Sequence, residues 1–263
     1  MLLQKAPIRP PETDFVWVIV PFSRPENLNL VLSNFNRQLF PNKKLVLVEN
    51  GRALGAAHGV NGGRDSRYDP SPLVLMSERH QSIAKNLALK EIRNRGGGFT
   101  VVMDDDDWYG PEYLSEVVGF ARTYDVIGKA RNFVSVDGNL WLCGRERAGH
   151  SGNWVTGGTI ACWAERCPEY TMDKAGEDVR FCDRAMSDGL SVYATSIHHY
   201  LYRRTGGSHT WGISNDKLRG FESSLRSLDL GLENLEIVTG ELLEVQASPL
   251  APAVINRRYH GIA

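Results

Sequence analysis

Apolar residues fall along this chain in short unbroken runs that alternate with stretches of helical period. Phe15 to Val20 is a continuous apolar run ending at Pro21, the pattern of a strand buried on both faces. Ser23-Arg24-Pro25-Glu26 then reads as a helix start, with Ser23 at the N-cap and Pro25 in the first turn, and Leu28, Val31, Leu32 and Phe35 follow at helical spacing. Leu45 to Val48 is a second strand closed by Glu49-Asn50-Gly51. Strand, helix and strand in this order predict a right-handed parallel βαβ unit. Residues 51–72 are glycine-rich without a period and read as a long surface loop. Leu73 to Met76 is a third strand. Ile83, Ala84, Leu87, Ala88 and Ile92 then mark one face of a helix that ends before Gly96-Gly97-Gly98.

The next run, Thr100 to Met103, leads directly into Asp104-Asp105-Asp106-Asp107, followed by Trp108 and Pro111. Four adjacent carboxylates at the carboxyl end of a parallel strand lie where open α/β sheets bind ligands, and their mutual repulsion calls for a cation. Hard oxygen donors suit Mg²⁺ or Mn²⁺ bridging to a diphosphate; the plain alternative is a solvated acidic turn. Tyr113, Leu114, Val117, Val118 and Ala121 predict a further helix. Strands and turns follow from Val126 to Leu142, with Asp137-Gly138 as a hairpin turn. Gly157 to Cys162 reads as a strand entered through glycines, and Gly176-Glu177-Asp178 opens a helix with Val179, Cys182, Ala185 and Met186 inward. Ser191 to Ala194 and Ile197 to Tyr202 read as short strands. A helix with Leu218, Phe221, Leu225 and Leu228 and an unpatterned tail complete the chain. There is no internal repeat, and 212–216 is the one linker candidate.

Composition narrows the partners. The 263 residues can form one large α/β domain with an appendage, and a net charge of −1 gives no general pull toward nucleic acid or anionic lipid. No apolar run approaches the ~18 residues of a membrane span, and Met1-Leu-Leu-Gln-Lys-Ala-Pro7 lacks a signal peptide's apolar core, so a cytoplasmic protein is expected. Cys143, Cys162, Cys167 and Cys182 form no C-x-x-C pair, which favours reduced, packed thiols over zinc.

The order of motifs resembles family 2 glycosyltransferases of the GT-A superfamily. The matching pieces are Val18-Ile-Val-Pro-Phe-Ser-Arg-Pro-Glu26, Val48-Glu-Asn-Gly51, Ala84-Lys-Asn86, Val102-Met-Asp-Asp-Asp-Asp-Trp108, Thr156-Gly-Gly158, Gly176-Glu-Asp178 and Tyr202-Arg-Arg-Thr-Gly-Gly-Ser-His209, covering roughly 15–211. The resemblance implies an α/β, Rossmann-like fold: a mainly parallel sheet flanked by helices in a domain over 1–215, with a small C-terminal appendage over 216–263. It implies transfer of a hexose from a nucleotide-diphospho-sugar, UDP-sugars foremost, to the hydroxyl of a saccharide, protein or modified nucleobase, with inversion. Mn²⁺ or Mg²⁺ would be the cofactor, held in an Asp-x-Asp register by Asp106 with Asp104 reaching the ribose or metal-bound water, and Asp105 and the extra carboxylate Asp107 beside them.

Pro21, Phe22, Arg24 and Glu49 would line the nucleotide pocket, Glu49 standing where the family usually has Asp; a solvated strand-end acid is the alternative. Lys85, beside Asn86, would meet the diphosphate or else lie on a solvated helix face. Asp178 would be the general base and Glu177 an acceptor contact, although acids also suit a helix N-terminus for dipole reasons alone. His209 would be a third metal ligand or a diphosphate contact, against an ordinary surface turn. His198 and His199 are adjacent and read as structural residues of a strand. Trp108, Trp154 and Trp211 offer stacking faces, while Trp17 reads as core. A nucleotidyltransferase lacks support, because Val20-Pro-Phe-Ser-Arg24 is not a basic glycine-rich phosphate loop; a GT-A binding module without turnover is the rival from another class.

Overall fold

The computed structural model describes residues 15–51, 72–77, 80–136, 139–144, 154–172, 176–204 and 226–227, with backbone alone for 136, 139–144 and 226–227. The first buried run is strand β1 (Val16–Phe22), followed by a 3₁₀ turn at Pro25–Asn27 and helix α1 (Leu28–Arg37). Strand β2 (Lys43–Asn50) pairs with β1 in parallel, Val18 opposite Leu45, and β3 (Leu73–Ser77) extends the sheet in the same sense. Helix α2 (Gln81–Asn94) leads into β4 (Phe99–Val102), parallel to β1 on its other side. After β5 (Trp108–Tyr109) and α3 (Tyr113–Phe120) come β6 (Val126–Gly128), β7 (Arg131–Val136) and β8 (Asn139–Gly144). The remaining elements are β9 (Ala161–Trp163), α4 (Glu177–Ser187), β10 (Val192–Ala194), β11 (Tyr200–Arg204) and β12 (Arg226–Ser227).

The main sheet runs β10-β6-β9-β4-β1-β2-β3, parallel except for β9, which is antiparallel to both of its neighbours. A second sheet, β12-β8-β7-β11-β5, grows from the segments after β4. Alternation along β1 assigns the two faces. Trp17 and Ile19 pack in one core with Ala84, Ala88 and Ile92 of α2 and with Phe181, Cys182 and Ala185 of α4. Val16, Val18 and Val20 pack in the other, with Val31 of α1 and Tyr113, Leu114 and Val117 of α3. The expected α/β architecture, a mainly parallel sheet with helices on both faces, is the one found.

Several local expectations are corrected. Ser23 does not cap α1; its N–H and hydroxyl go to Asp105 instead. Gly157–Thr159 forms a 3₁₀ turn before β9 rather than the start of a strand. Val179 is exposed and Phe181 takes the inward place on α4. The two histidines precede β11, with His199 in the left-handed region at φ 63°, so they do not alternate along a strand. Arg226–Ser227 pairs antiparallel with β8, which ends any helix there; the open edge of β8 supplies backbone partners that an isolated helix end lacks. Cys162 and Cys167 are joined in a disulfide rather than packed as thiols, because the turn after β9 brings their Cα atoms to 5.9 Å; Cys182 is free and buried. Asp137-Gly138, His209, Trp211, residues 52–71 of the 51–72 loop, and all of 216–263 except Arg226–Ser227 lie outside the described residues.

Candidate active site

β4 ends at Val102, and the chain turns through the four carboxylates into β5, so they emerge beside the end of β1. Long-range partners then separate them. Asp105, only 3% exposed, accepts from Ser23 N at 2.7 Å, Arg24 N at 3.0 Å and Ser23 Oγ at 3.2 Å on one oxygen, and from Arg24 Nη1 at 2.5 Å on the other. Asp107, fully buried, accepts from Tyr200 Oη at 2.6 Å and Arg203 N at 3.0 Å, tying the loop to β11. Both are bonded from within the protein and tie the loop to distant segments; burial, with Asp106 and Asp104 beside it, still raises the Asp107 carboxyl well above its ordinary 3.8.

Asp104 and Asp106 differ from these two. Among the described residues no donor reaches the Asp104 carboxylate; its backbone N–H donates to Tyr109 Oη at 2.7 Å, and Tyr109 donates in turn to Gly158 O at 2.6 Å. Burial, opposed by Lys85 and reinforced by Asp106, Glu177 and Asp105, pushes the Asp104 carboxyl up to about 7. Asp106 meets Arg24 Nη1 at 3.0 Å, and burial raises its carboxyl despite that guanidinium. The turn Gly157–Gly158 lies against both acid groups: a Cβ on Gly158 would come within 2.7 Å of Asp104 Oδ2, and one on Gly157 within 3.3 Å of Asp178 Cβ. Glycine there lets the strand-end acids and the start of α4 face each other across one turn of backbone.

At that helix start Glu177 and Asp178 divide. Glu177 accepts from Lys85 Nζ at 2.7 Å, Ser82 Oγ at 2.5 Å and Gln81 Nε2 at 3.2 Å. Burial opposes its ionisation, but Lys85 and Ser82 outweigh it and hold the carboxyl below its ordinary 4.5. Lys85 is 0% exposed and sits 5.0 Å above the Tyr170 ring, so it is not on a solvated helix face. Burial works against its charge too, yet Glu177 and Asp104 keep it raised above 10.5. Asn86 is also spent internally, bonded both ways to the backbone of Tyr170 at 2.9 and 2.8 Å. Among the described residues Asp178 accepts only from backbone, Val179 N at 2.9 Å and Gly157 N at 3.2 Å, and burial leaves its carboxyl raised.

On the strand side Pro21 and Phe22 close β1 as buried residues. Glu49 is 1% exposed at the end of β2, which removes the solvated strand-end reading. Trp108 is half-buried with Arg37 over its ring at 5.3 Å, Trp154 is half-buried against the α2–α4 core, and Trp17 is core, its Nε1 donating to Gly97 O. Residues unmarked by the motif pattern carry much of the site: Ser82, Gln81, Tyr109 and Tyr170. Tyr109 is 0% exposed and its hydroxyl finds partners in Asp104 N and Gly158 O, a role that no local pattern in the sequence marks.

The Lys85–Glu177 pair gives a prediction that does not depend on the reaction. Removing one partner of a buried, hydrogen-bonded ion pair costs about 3–5 kcal/mol, so Lys85→Met should lower the melting temperature markedly. Glu177 is stabilising above its ordinary 4.5, and that contribution is lost as pH falls through its lowered folded value; Lys85 contributes below 10.5 and loses it above its raised value. The difference in melting temperature between wild type and Lys85→Met should therefore hold through neutral pH and shrink in acid. A constant difference down to strong acid would contradict the pairing.

The family model for glycosyl transferase family 2 matches residues 17–183, from β1 into α4. The chain belongs to that family. No curated protein matches it. Among solved structures, the mannosyltransferase PcManGT from Pyrobaculum calidifontis, in complex with GDP-Man and Mn²⁺, superposes with a TM-score of 0.52 at 18% identity, over 74% of this chain and 57% of that one. S. aureus TarS aligns with a TM-score of 0.49 at 20% identity over 72% of this chain. The aligned region spans 57% and 37% of the lengths of those two proteins. The fold is GT-A.

Two carboxylates, Asp104 and Asp106, fit a divalent cation by the chemistry of the donor set: hard oxygens, one without a hydrogen-bond donor among the described residues and raised to about 7 by burial, against Lys85. Among the described residues no three acidic, histidine or cysteine side chains form a cage. That suits a cation bound through one or two carboxylates and completed by substrate phosphates. No helix among the described residues is long and apolar enough to cross a membrane.

Proposed function

We propose that this glycosyltransferase moves a hexose from a nucleotide-diphospho-sugar to an acceptor hydroxyl by single displacement with inversion, using a divalent cation, Mn²⁺ or Mg²⁺. The observation that carries it is the pair of acid groups facing each other across Gly157–Gly158: Asp104 on the strand side and Asp178 on the helix side, each with a raised carboxyl. Asp104 and Asp106 would hold the cation, whose charge offsets that developing on the departing nucleoside diphosphate. Asp105, tied to Ser23 and Arg24, holds the β1 loop against the acid turn, so Pro21, Phe22 and Glu49 keep one arrangement at the nucleotide end. Asp178 takes the acceptor proton as the hydroxyl oxygen bonds to the anomeric carbon; the carbon–diphosphate bond breaks, and its electron pair leaves with the diphosphate. Glu177, with its oxygens engaged by α2, anchors the start of α4 and so positions Asp178, rather than contacting the acceptor.

The acceptor class is a saccharide, a protein or a modified nucleobase, each offering a hydroxyl. The donor is best sought among UDP- and GDP-sugars; a fold neighbour carries GDP-Man, and UDP-sugars remain part of the proposal. Thermal melts with Mn²⁺ and each of UDP, GDP and their sugars test it, since a ligand binding only the folded state raises stability by about 2.7 kcal/mol at a hundred times its Kd. A shift with Mn²⁺ plus one nucleotide, followed by release of that nucleoside diphosphate on adding acceptors, supports transfer. Binding without any release would make the protein a binding module. No shift with any pair would remove the donor proposal.

A further inference from the structure

Arg24 stands where the donor side meets the acid turn, and one of its nitrogens, Nη1, lies 2.5 Å from Asp105 and 3.0 Å from Asp106. The two contacts are not equivalent. Asp105 keeps three other donors, Ser23 N, Ser23 Oγ and Arg24 N, so the fold of the loop does not depend on the guanidinium. Asp106 is the more exposed carboxylate, 14% against 3%, and the Arg24 side chain is 22% exposed at the same rim. The contact nearest solvent is thus also the one on a proposed cation ligand. We propose that Arg24 is the built-in counter-ion of the cation-free site: it holds Asp106 until a divalent cation takes that carboxylate, and thereby makes cation and nucleoside diphosphate bind as a coupled pair. This rests on the reading of Asp104 and Asp106 as cation ligands.

The physical argument is one of charge. A divalent cation arriving alone must compete with a guanidinium already on Asp106 and then sit beside it, two like charges within a few ångströms in a partly buried turn. A diphosphate arriving with the cation brings negative charge that relieves this repulsion. The cation therefore binds better with the nucleotide than without, and by linkage the nucleotide gains the same factor from the cation. An arginine suits the task because it stays protonated under all these conditions. Asp105 retains the guanidinium at 2.5 Å, so release of Asp106 need not free the whole side chain.

The test measures Mn²⁺ binding directly, by the paramagnetic resonance signal of free Mn²⁺, with and without saturating UDP or GDP. In wild type the nucleotide should tighten Mn²⁺ binding. In Arg24→Gln, Mn²⁺ alone should bind about fivefold tighter or better, and the nucleotide's enhancement should shrink by a similar factor, couplings of this kind spanning about 5–150-fold. Arg24→Lys, which keeps the charge, should lie between the two, and it carries the measurement if the glutamine variant melts far below wild type. A merely structural arginine would predict the opposite sign, with weaker Mn²⁺ binding in both variants; that result, or unchanged Mn²⁺ binding in variants that melt normally, overturns the proposal. Asp106→Asn separates the two layers. Loss of nucleotide-promoted Mn²⁺ binding upholds the ligand reading, whereas full retention overturns that reading and the counter-ion with it.

Discussion

Asp106→Asn should cut turnover by about a hundredfold or more, the usual loss when one well-placed electrostatic stabiliser is removed, while changing the melting temperature little. The reason lies in how the four carboxylates are used. Asp106 is more exposed than Asp105, 14% against 3%, and shares Arg24 with it, so the neutral amide sits in a less buried place. Asp105→Asn should behave in the reverse order. Both carboxylate oxygens of Asp105 are in use, so the NH₂ of asparagine faces either Ser23 N and Arg24 N or the Arg24 guanidinium, a donor set against a donor, at a cost of about 1–3 kcal/mol. Its melting temperature should fall, and Mn²⁺ should not restore it. Excess chelator should abolish activity in wild type, with Mn²⁺ or Mg²⁺ restoring it. Full turnover in chelator, or a normal rate in Asp106→Asn, would sink the cation proposal. A large drop in the melting temperature of Asp106→Asn alone would instead move Asp106 into the loop's structural set.

How far the sequence carried this assignment depends on the distance over which each fact is decided. The strands β1, β2 and β4 and the helices α1 to α3 were readable because one residue's burial repeats at a local period: Trp17 and Ile19 on one face of β1, Val16 and Val18 on the other. The same logic put the acids at a strand end. What it could not do was rank them. Asp105 is saturated by Ser23, 82 residues away in sequence, and Asp107 by Tyr200, 93 away, so no local pattern distinguishes them from Asp104 and Asp106. Lys85 carried the same difficulty. A lysine in a helix pattern reads as solvated or ligand-facing until Glu177, 92 residues on, is placed beside it. Val179 was assigned inward from spacing alone, yet Phe181 buries more apolar surface, and the helix turned that way. β5 is two residues long and exists because β11 pairs with it, so local propensity had nothing to show.

Asp178→Asn should collapse kcat while leaving nucleoside diphosphate affinity in place, the signature of an interaction made mainly in the transition state. Asparagine keeps the shape and one acceptor oxygen for Val179 N or Gly157 N but loses basicity. The pH dependence gives a second check. Burial leads the shift, Val179 N, Lys85 and Gly157 N oppose it, Glu177 adds to it, and the net raises the carboxyl above its ordinary 3.8. A base must be ionised to act, so kcat/KM should fall on the acid side, along a limb that lies above the ordinary carboxylate range. Stability should move the other way. A carboxyl raised in the folded state favours folding below its unfolded value and loses that contribution as pH rises through the folded one. At neutral pH the ionised Asp178 is therefore a cost to the fold, and Asp178→Asn should melt at or above wild type. A helix cap without a role in proton transfer would behave differently: the variant would lose about 0.5–2 kcal/mol of stability and keep most of its rate. Melts and single-turnover rates on the one variant separate these cases. Near-normal turnover with a lowered melting temperature would leave α4 without a base, since Glu177 is already bonded to Lys85, Ser82 and Gln81.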